Sequence, residues 1–277
     1  MSDAAVTPIV ILREPPARGF DPASLATLRP FIVPTLIIAT WQAGASTGLL
    51  PAYLVASPLA ILDSLISLIG SGVLLHHLFV SLGRVAIGLA IAIVLGVGLG
   101  LLSGLSRLGE DAADATLQMA RTLPHLALVP LFILWFGIDE TPKIALVALG
   151  ALFPIYLNLF AGIRGVDPKL VEVAGTLGLS RGAMIWHVIL PGALPSALLG
   201  LRYALGVAWL SLVVGEQINA QSGIGYMMMD AREFLRTDII MVGLLVYALL
   251  GLGADQLVRA LERMTLVWRP TIVSPRP

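Results

Sequence analysis

The 277-residue chain contains no cysteine. Disulfides and thiolate metal sites are excluded, and the redox compartment stays undecided. Charge is scarce as well. Asp, Glu, Lys and Arg together make 12% of the residues, against roughly 25% in soluble domains. Lysine occurs only at Lys143 and Lys169, which are followed by Ile144 and Leu170. A phosphate-binding loop needs lysine followed by Ser or Thr after a glycine-rich turn, so that route to ATP hydrolysis is closed to this chain. The formal net charge is zero, which gives no basic surplus for nucleic acid. The histidines His76, His77, His125 and His187 show no HExxH spacing, and no serine has a base at a recognisable offset. Neither a metal site nor an intramembrane enzyme is indicated, and no cofactor is expected on this chain.

What is abundant is apolar sequence. Hydrophobic residues make 57% of the chain and the mean hydropathy is +0.93. A membrane-crossing helix needs about 20 mostly apolar residues. Six segments meet that: Phe31–Leu50, His77–Leu102, Ala115–Phe136, Lys143–Ile163, Ala193–Gly215 and Ile239–Leu257. The expectation is an all-α, polytopic membrane protein with six transmembrane helices and residues 31–263 as one transmembrane domain. Residues 1–30 carry Arg13, Arg18, Arg29 and several prolines without helical apolar period, and read as a cytoplasmic tail. A cleaved signal peptide is the competing reading, but the apolar run from Phe31 starts late and is too long. Residues 264–277 read as a second cytoplasmic tail.

Basic residues set orientation. With the N-terminus inside, Arg107, Arg164, Lys169, Arg181, Arg259, Arg263 and Arg269 fall inside together with the N-terminal arginines. Lys143, Arg232 and Arg236 fall outside. Both termini are then cytoplasmic, in a bilayer read as a bacterial inner membrane. Between the first two spans, Ser57 and Pro58 start a short helix with Asp63, Ser64, Ser67 and Ser71 on one face. Two readings stand: a helix lying flat on the outer surface, or one packed on the bundle's outer end. The "GVGLG" run lies inside a span, so it fails as a dinucleotide turn. Gly96, Gly100 and Gly104 recur every fourth residue instead, which suits close helix packing in lipid.

The loop "DPKLVEVAGTLGLSRGAMIWHVILP", residues 167–191, is built like a docking knob. Asp167-Pro168 starts a helix, Gly178 stops it in a left-handed turn, and Ser180 caps a second helix that Pro191 ends or bends. Glu172, Ala174, Gly178, Leu190 and Pro191 resemble the EAA loop of ABC-importer permeases, with Val173 and Val188 as small apolar departures. From about Ser57 to Arg263 the chain resembles the subfamily importing aliphatic sulfonates, taurine, nitrate or bicarbonate. His125 stands where that resemblance leads to a second proline after Pro124.

The resemblance implies a type I importer permease fold. It implies a homodimer of permeases, two ATPase subunits that bind ATP and Mg, and a separate solute-binding protein. Glu172, Ala174, Gly178, Leu179, Leu190 and Pro191 would couple this chain to the ATPase. The cargo would be a small anion, foremost an aliphatic sulfonate or taurine, with nitrate, bicarbonate or a thiamine precursor as alternatives. An ion-coupled secondary transporter is the rival from another class. It calls for an acidic site at mid-membrane and often internal repeats. No span has a central Asp, and Glu216 lies toward one end.

Charges within spans are costly and usually face a partner or a cavity. Arg121 and Arg202 are placed near the cytoplasmic side and read as snorkelling or paired. Arg84 and Glu216 are nearer the outer side and form a candidate gate pair. "GEQINAQSGIGYMMMDAREF" breaks the fifth span and resembles the family's outer gate region. Irregular backbone at that depth is tolerated where it lines a cavity or is buried in protein. Trp209, Ser211, Glu216, Gln217 and Asn219 are therefore candidates for the pathway.

Overall fold

The computed structural model describes residues 23–268, which form helices and turns with no strand among them. Helices α3 (Val73–Leu105), α6 (Glu140–Arg164), the unbroken run Arg181–Ile218 and α11 (Thr237–Thr265) are each long and apolar enough to cross a membrane. Helix α4 (Arg107–Ala120) and the segment His125–Phe136, which ends in α5 (Val129–Phe136), make a fifth span if that bent pair is counted as one. Helix α1 (Ala23–Ser46) is the remaining candidate for the expected six, but its apolar part, Phe31–Ser46, is shorter. It begins eight residues before the expected span. The predicted tail therefore overlaps it at 23–30, and residues 1–22 and 269–277 lie outside the described residues.

The core is α3, α6 and α9 (Leu190–Asn219) packed face to face. A Cβ on Gly88, Gly96, Gly100 or Gly104 would meet Val147, Ile155, Leu159 or Ile163 at 2.6–3.0 Å. Each pair is separated by the same interval along the chain, so α3 and α6 run parallel with glycine recesses receiving branched side chains. In lipid, such close approach replaces hydrophobic burial as the source of attraction. Helix α9 runs antiparallel to α6, with Gly162 against Ser196 and Gly200 against Asn158.

Span three departs most from expectation. Instead of starting at Ala115, α4 starts at Arg107, directly after α3. The Ser106 hydroxyl caps it by accepting from the Gly109 amide at 2.9 Å. Glu110 pairs with Arg164 at the end of α6, while Leu117 packs on the central cluster, so α4 climbs back along α3. It stops at Ala120, and His125–Phe136 leaves at 81° to it. Pro124 lacks an N–H and disfavours helix in the residue before it, which accounts for the interruption.

The end opposite α4's start is capped by two short helices. Helix α10 (Ile224–Glu233) buries Ile224, Met227 and Met228 against Leu74, Val242 and Val246. Helix α2 (Pro58–Gly70) lays Ile61, Leu65 and Leu68 over the same cluster, and its Ser64 hydroxyl donates to Asp238 at 2.5 Å. Of the two readings for this helix, packing on the bundle end is the one adopted.

Candidate functional site

The two short helices and sharp turn expected in the 167–191 loop are present. Helix α7 (Pro168–Thr176) is capped by Asp167, whose carboxylate accepts from the Lys169 amide at 2.9 Å. Gly178 takes φ +78°, and the Leu179 amide closes the turn on the Ala174 carbonyl at 3.1 Å. Ser180 accepts from the Ala183 amide and starts α8 (Arg181–Met184). Of the two outcomes expected at Pro191, an end or a bend, the helix does not end there. A π-helical turn, Ile185–Ile189, leads into α9. A wider turn there accommodates a residue that has no N–H to offer and a ring that crowds the preceding carbonyl. Helix α8 of the elbow is thus continuous with span five.

Ala174 is buried within the elbow. Glu172 is exposed beside a cleft of about 620 Å³ that Arg164 and Arg181 also line. On the other side Ala174, Leu179 and Pro191 line a second cleft of about 530 Å³ with Leu170, Val173 and Leu177. Leu170, Val173 and Leu177 are more than half exposed, Leu177 at 75%. Exposed apolar side chains thus gather on this side of the elbow. Leu190, half-buried, opens α9.

At the far end lies a buried ion cluster. Arg84 is 4% exposed and Glu216 1%. The Arg84 Nη1 donates to Glu216 Oε1 at 2.6 Å and to the Ser222 carbonyl at 2.7 Å. Its Nε and Nη2 donate to the two oxygens of Glu140, at 2.5 and 2.7 Å. Lys143, 3% exposed, donates to Glu140 at 3.3 Å. Glu216 also accepts from Ser81, from the Gly225 amide at 2.8 Å and from Tyr247 at 3.3 Å. Ser81 in turn accepts the Ile224 amide, and His77 the Gly223 amide. The start of α10 is therefore stitched to α3 and α9 by side chains replacing the missing helical partners. Gly223, at φ +112°, admits no side chain because a Cβ would overlap the Glu216 carboxylate.

The sequence brought Arg84 and Glu216 together, but missed Glu140, Lys143, Ser81 and Tyr247. The i,i+3 spacing of Glu140 and Lys143 was the available signal. Among the other pathway candidates, Ser211 is buried and meets His125 Nε2 at 3.0 Å. Trp209 and Gln217 are half-buried, with Trp209 edge-on to Tyr247. The side chain of Asn219 lies outside the described residues. Arg202 pairs with Asp255 and Glu262 of α11, as the paired reading expected. Arg121 departs from its expected place near one end, because α4 begins so much earlier.

Residues 92–266 match the family described as binding-protein-dependent transport system inner membrane component. The chain belongs to that family. Its relatives include two proteins named SsuC, for aliphatic sulfonates transport permease. The one from Escherichia coli K12 is 52% identical, covering 89% of this chain and 94% of its own length. The one from Bacillus subtilis 168 is 48% identical, covering 87% and 88%. The taurine transport permease TauC of Escherichia coli K12 is 36% identical, covering 84% and 86%. A solved amino acid ABC transporter shares the fold at TM-score 0.60 and 18% identity, covering 72% of this chain and 97% of its own. The inward-facing MetNI methionine transporter aligns at TM-score 0.54 and 18% identity, covering 68% and 95%. The protein is an ABC-importer permease, a transport subunit rather than an enzyme. Membership implies an ATPase and a solute-binding protein in the same complex, at an inner membrane.

Proposed function

We propose that two copies of this chain form the membrane path of an ATP-driven importer for aliphatic sulfonates. The observation that carries the cargo is the 52% identity, over nearly its whole length, to a relative named for sulfonate transport. The elbow faces the cytoplasm in this reading, where the basic residues gather. Its apolar face, Leu170, Val173 and Leu177, seats in the ATPase, with Glu172 free to pair with a cation there. ATP and Mg are bound by that partner. Closure of the ATPase dimer draws the elbows together, and the helices switch as rigid bodies between two packed states. The Arg84–Glu216 cluster holds the opposite end during that change.

The test is reconstitution in liposomes with the ATPase and the solute-binding protein. Ethanesulfonate or taurine is expected to stimulate ATP hydrolysis and to accumulate inside. Nitrate, bicarbonate or a thiamine precursor carried in preference would reassign the cargo. Uptake without nucleotide, driven by a proton or sodium gradient, would overturn the whole reading in favour of an ion-coupled transporter.

A further inference from the structure

Arg121 has a position that neither packing nor pairing accounts for. It follows fourteen residues of α4, a rise of about 21 Å from the helix start. Leu117, one turn earlier, packs against the cluster that includes Ala151 and Ile155. His125, four residues on and beyond the break, sits against Gly150 and bonds to Ser211. Gly150 and Ala151 mark the middle of α6, so Arg121 is held at mid-depth in the bundle. A guanidinium there costs at least roughly 2.5–3.5 kcal/mol unless it faces a counter-charge or water. Arg84, Arg164 and Arg202 each have a carboxylate partner within the chain. The Arg121 side chain is exposed and makes no hydrogen bond or ion pair among the described residues.

A second observation points the same way. The span is broken at this residue, and Arg121, Thr122, Leu123 and Pro124 are all exposed on the protomer. Non-helical backbone at membrane depth persists only where protein buries it or water reaches it, and this protomer does not bury it. We propose that Arg121 lines the aqueous path and binds the anionic head of the cargo midway across. The planar guanidinium presents paired N–H donors that match the oxygens of a sulfonate. The inference rests on the sulfonate and homodimer reading above, which would supply two such groups.

The absence of native cysteine makes the test direct. Arg121→Cys and, with the arginine kept, Thr122→Cys are each placed in the complete complex in membranes. They are treated with sulfonatoethyl methanethiosulfonate, a small anionic thiol reagent. Both thiols are expected to react at least about tenfold faster than one introduced as Val94→Cys, exposed on α3, because a thiol facing lipid does not ionise. Excess ethanesulfonate should slow the reaction at position 122. Arg121→Gln should lower sulfonate uptake about tenfold, the scale of one lost charge-assisted hydrogen bond, while the ATPase still co-purifies and Arg121→Lys keeps an intermediate rate. Thiols at 121 and 122 as inert as the one at 94, or wild-type uptake by Arg121→Gln, overturns the inference. Should Arg121→Gln fail to assemble, the labelling of Thr122→Cys decides. Reactive thiols in a complex that carries no sulfonate would leave the aqueous path standing and sink the cargo assignment instead.

Discussion

Glu216 accepts hydrogen bonds from Arg84, Ser81, Tyr247 and a backbone amide, at a depth where water does not reach it. Removing one member of such a buried pair costs about 3–5 kcal/mol, because the other charge is left uncompensated. Glu216→Ala should therefore lower the thermal unfolding midpoint in detergent markedly, and Glu216→Gln, which keeps some acceptors, should lower it less. Equal midpoints for wild type and Glu216→Ala would show that the cluster does not hold the fold. Gly223→Ala makes an independent prediction. The added methyl overlaps the Glu216 carboxylate at a backbone conformation that favours glycine. Protease cleavage near α10 should then become faster. The pairing of Arg84 with Glu216 was legible because an intramembrane charge calls for a counter-charge. Their convergence with Tyr247 and Ser81 was not, since it depends on how α11 and α3 rotate about their axes.

Helices show the same division between what spacing reveals and what packing decides. The four-residue glycine period on α3 predicted a close helix contact, and the contact exists. The identity of the partner, α6 running parallel, depends on the whole topology. Gly104→Leu should force α3 from Ile163 and cost about 1–3 kcal/mol in overpacking, read as a lower yield of folded protein after detergent extraction. The elbow was legible to the residue, through Asp167, Gly178 and Ser180. Gly178→Val places a β-branched residue at φ +78°, a strain of about 1–2 kcal/mol. Co-purification of the ATPase should fall while membrane insertion is unchanged, and undiminished recovery of the ATPase would count against the docking role. The early start and bend of span three escaped the sequence. Polar residues Glu110 and Asp111 sit in α4, so hydropathy alone began the span eight residues late.

At the scale of the whole molecule, the chain is a transport subunit, and its family membership implies a separate ATPase in the complex. Purified alone it should hydrolyse no ATP, and hydrolysis should appear on adding the ATPase and rise further with the loaded binding protein. Hydrolysis by the lone permease, free of contaminating ATPase, would contradict that division of labour. The run Arg181–Ile218 spans 38 residues without interruption, about 57 Å of helix. One end of this strut carries α8 of the elbow and the other carries Glu216. A tilt imposed at the elbow thus reaches the carboxylate end through continuous helix, with no loop between them. Whatever pulls on the elbow is felt by the Glu216 cluster at the far end of the same strut.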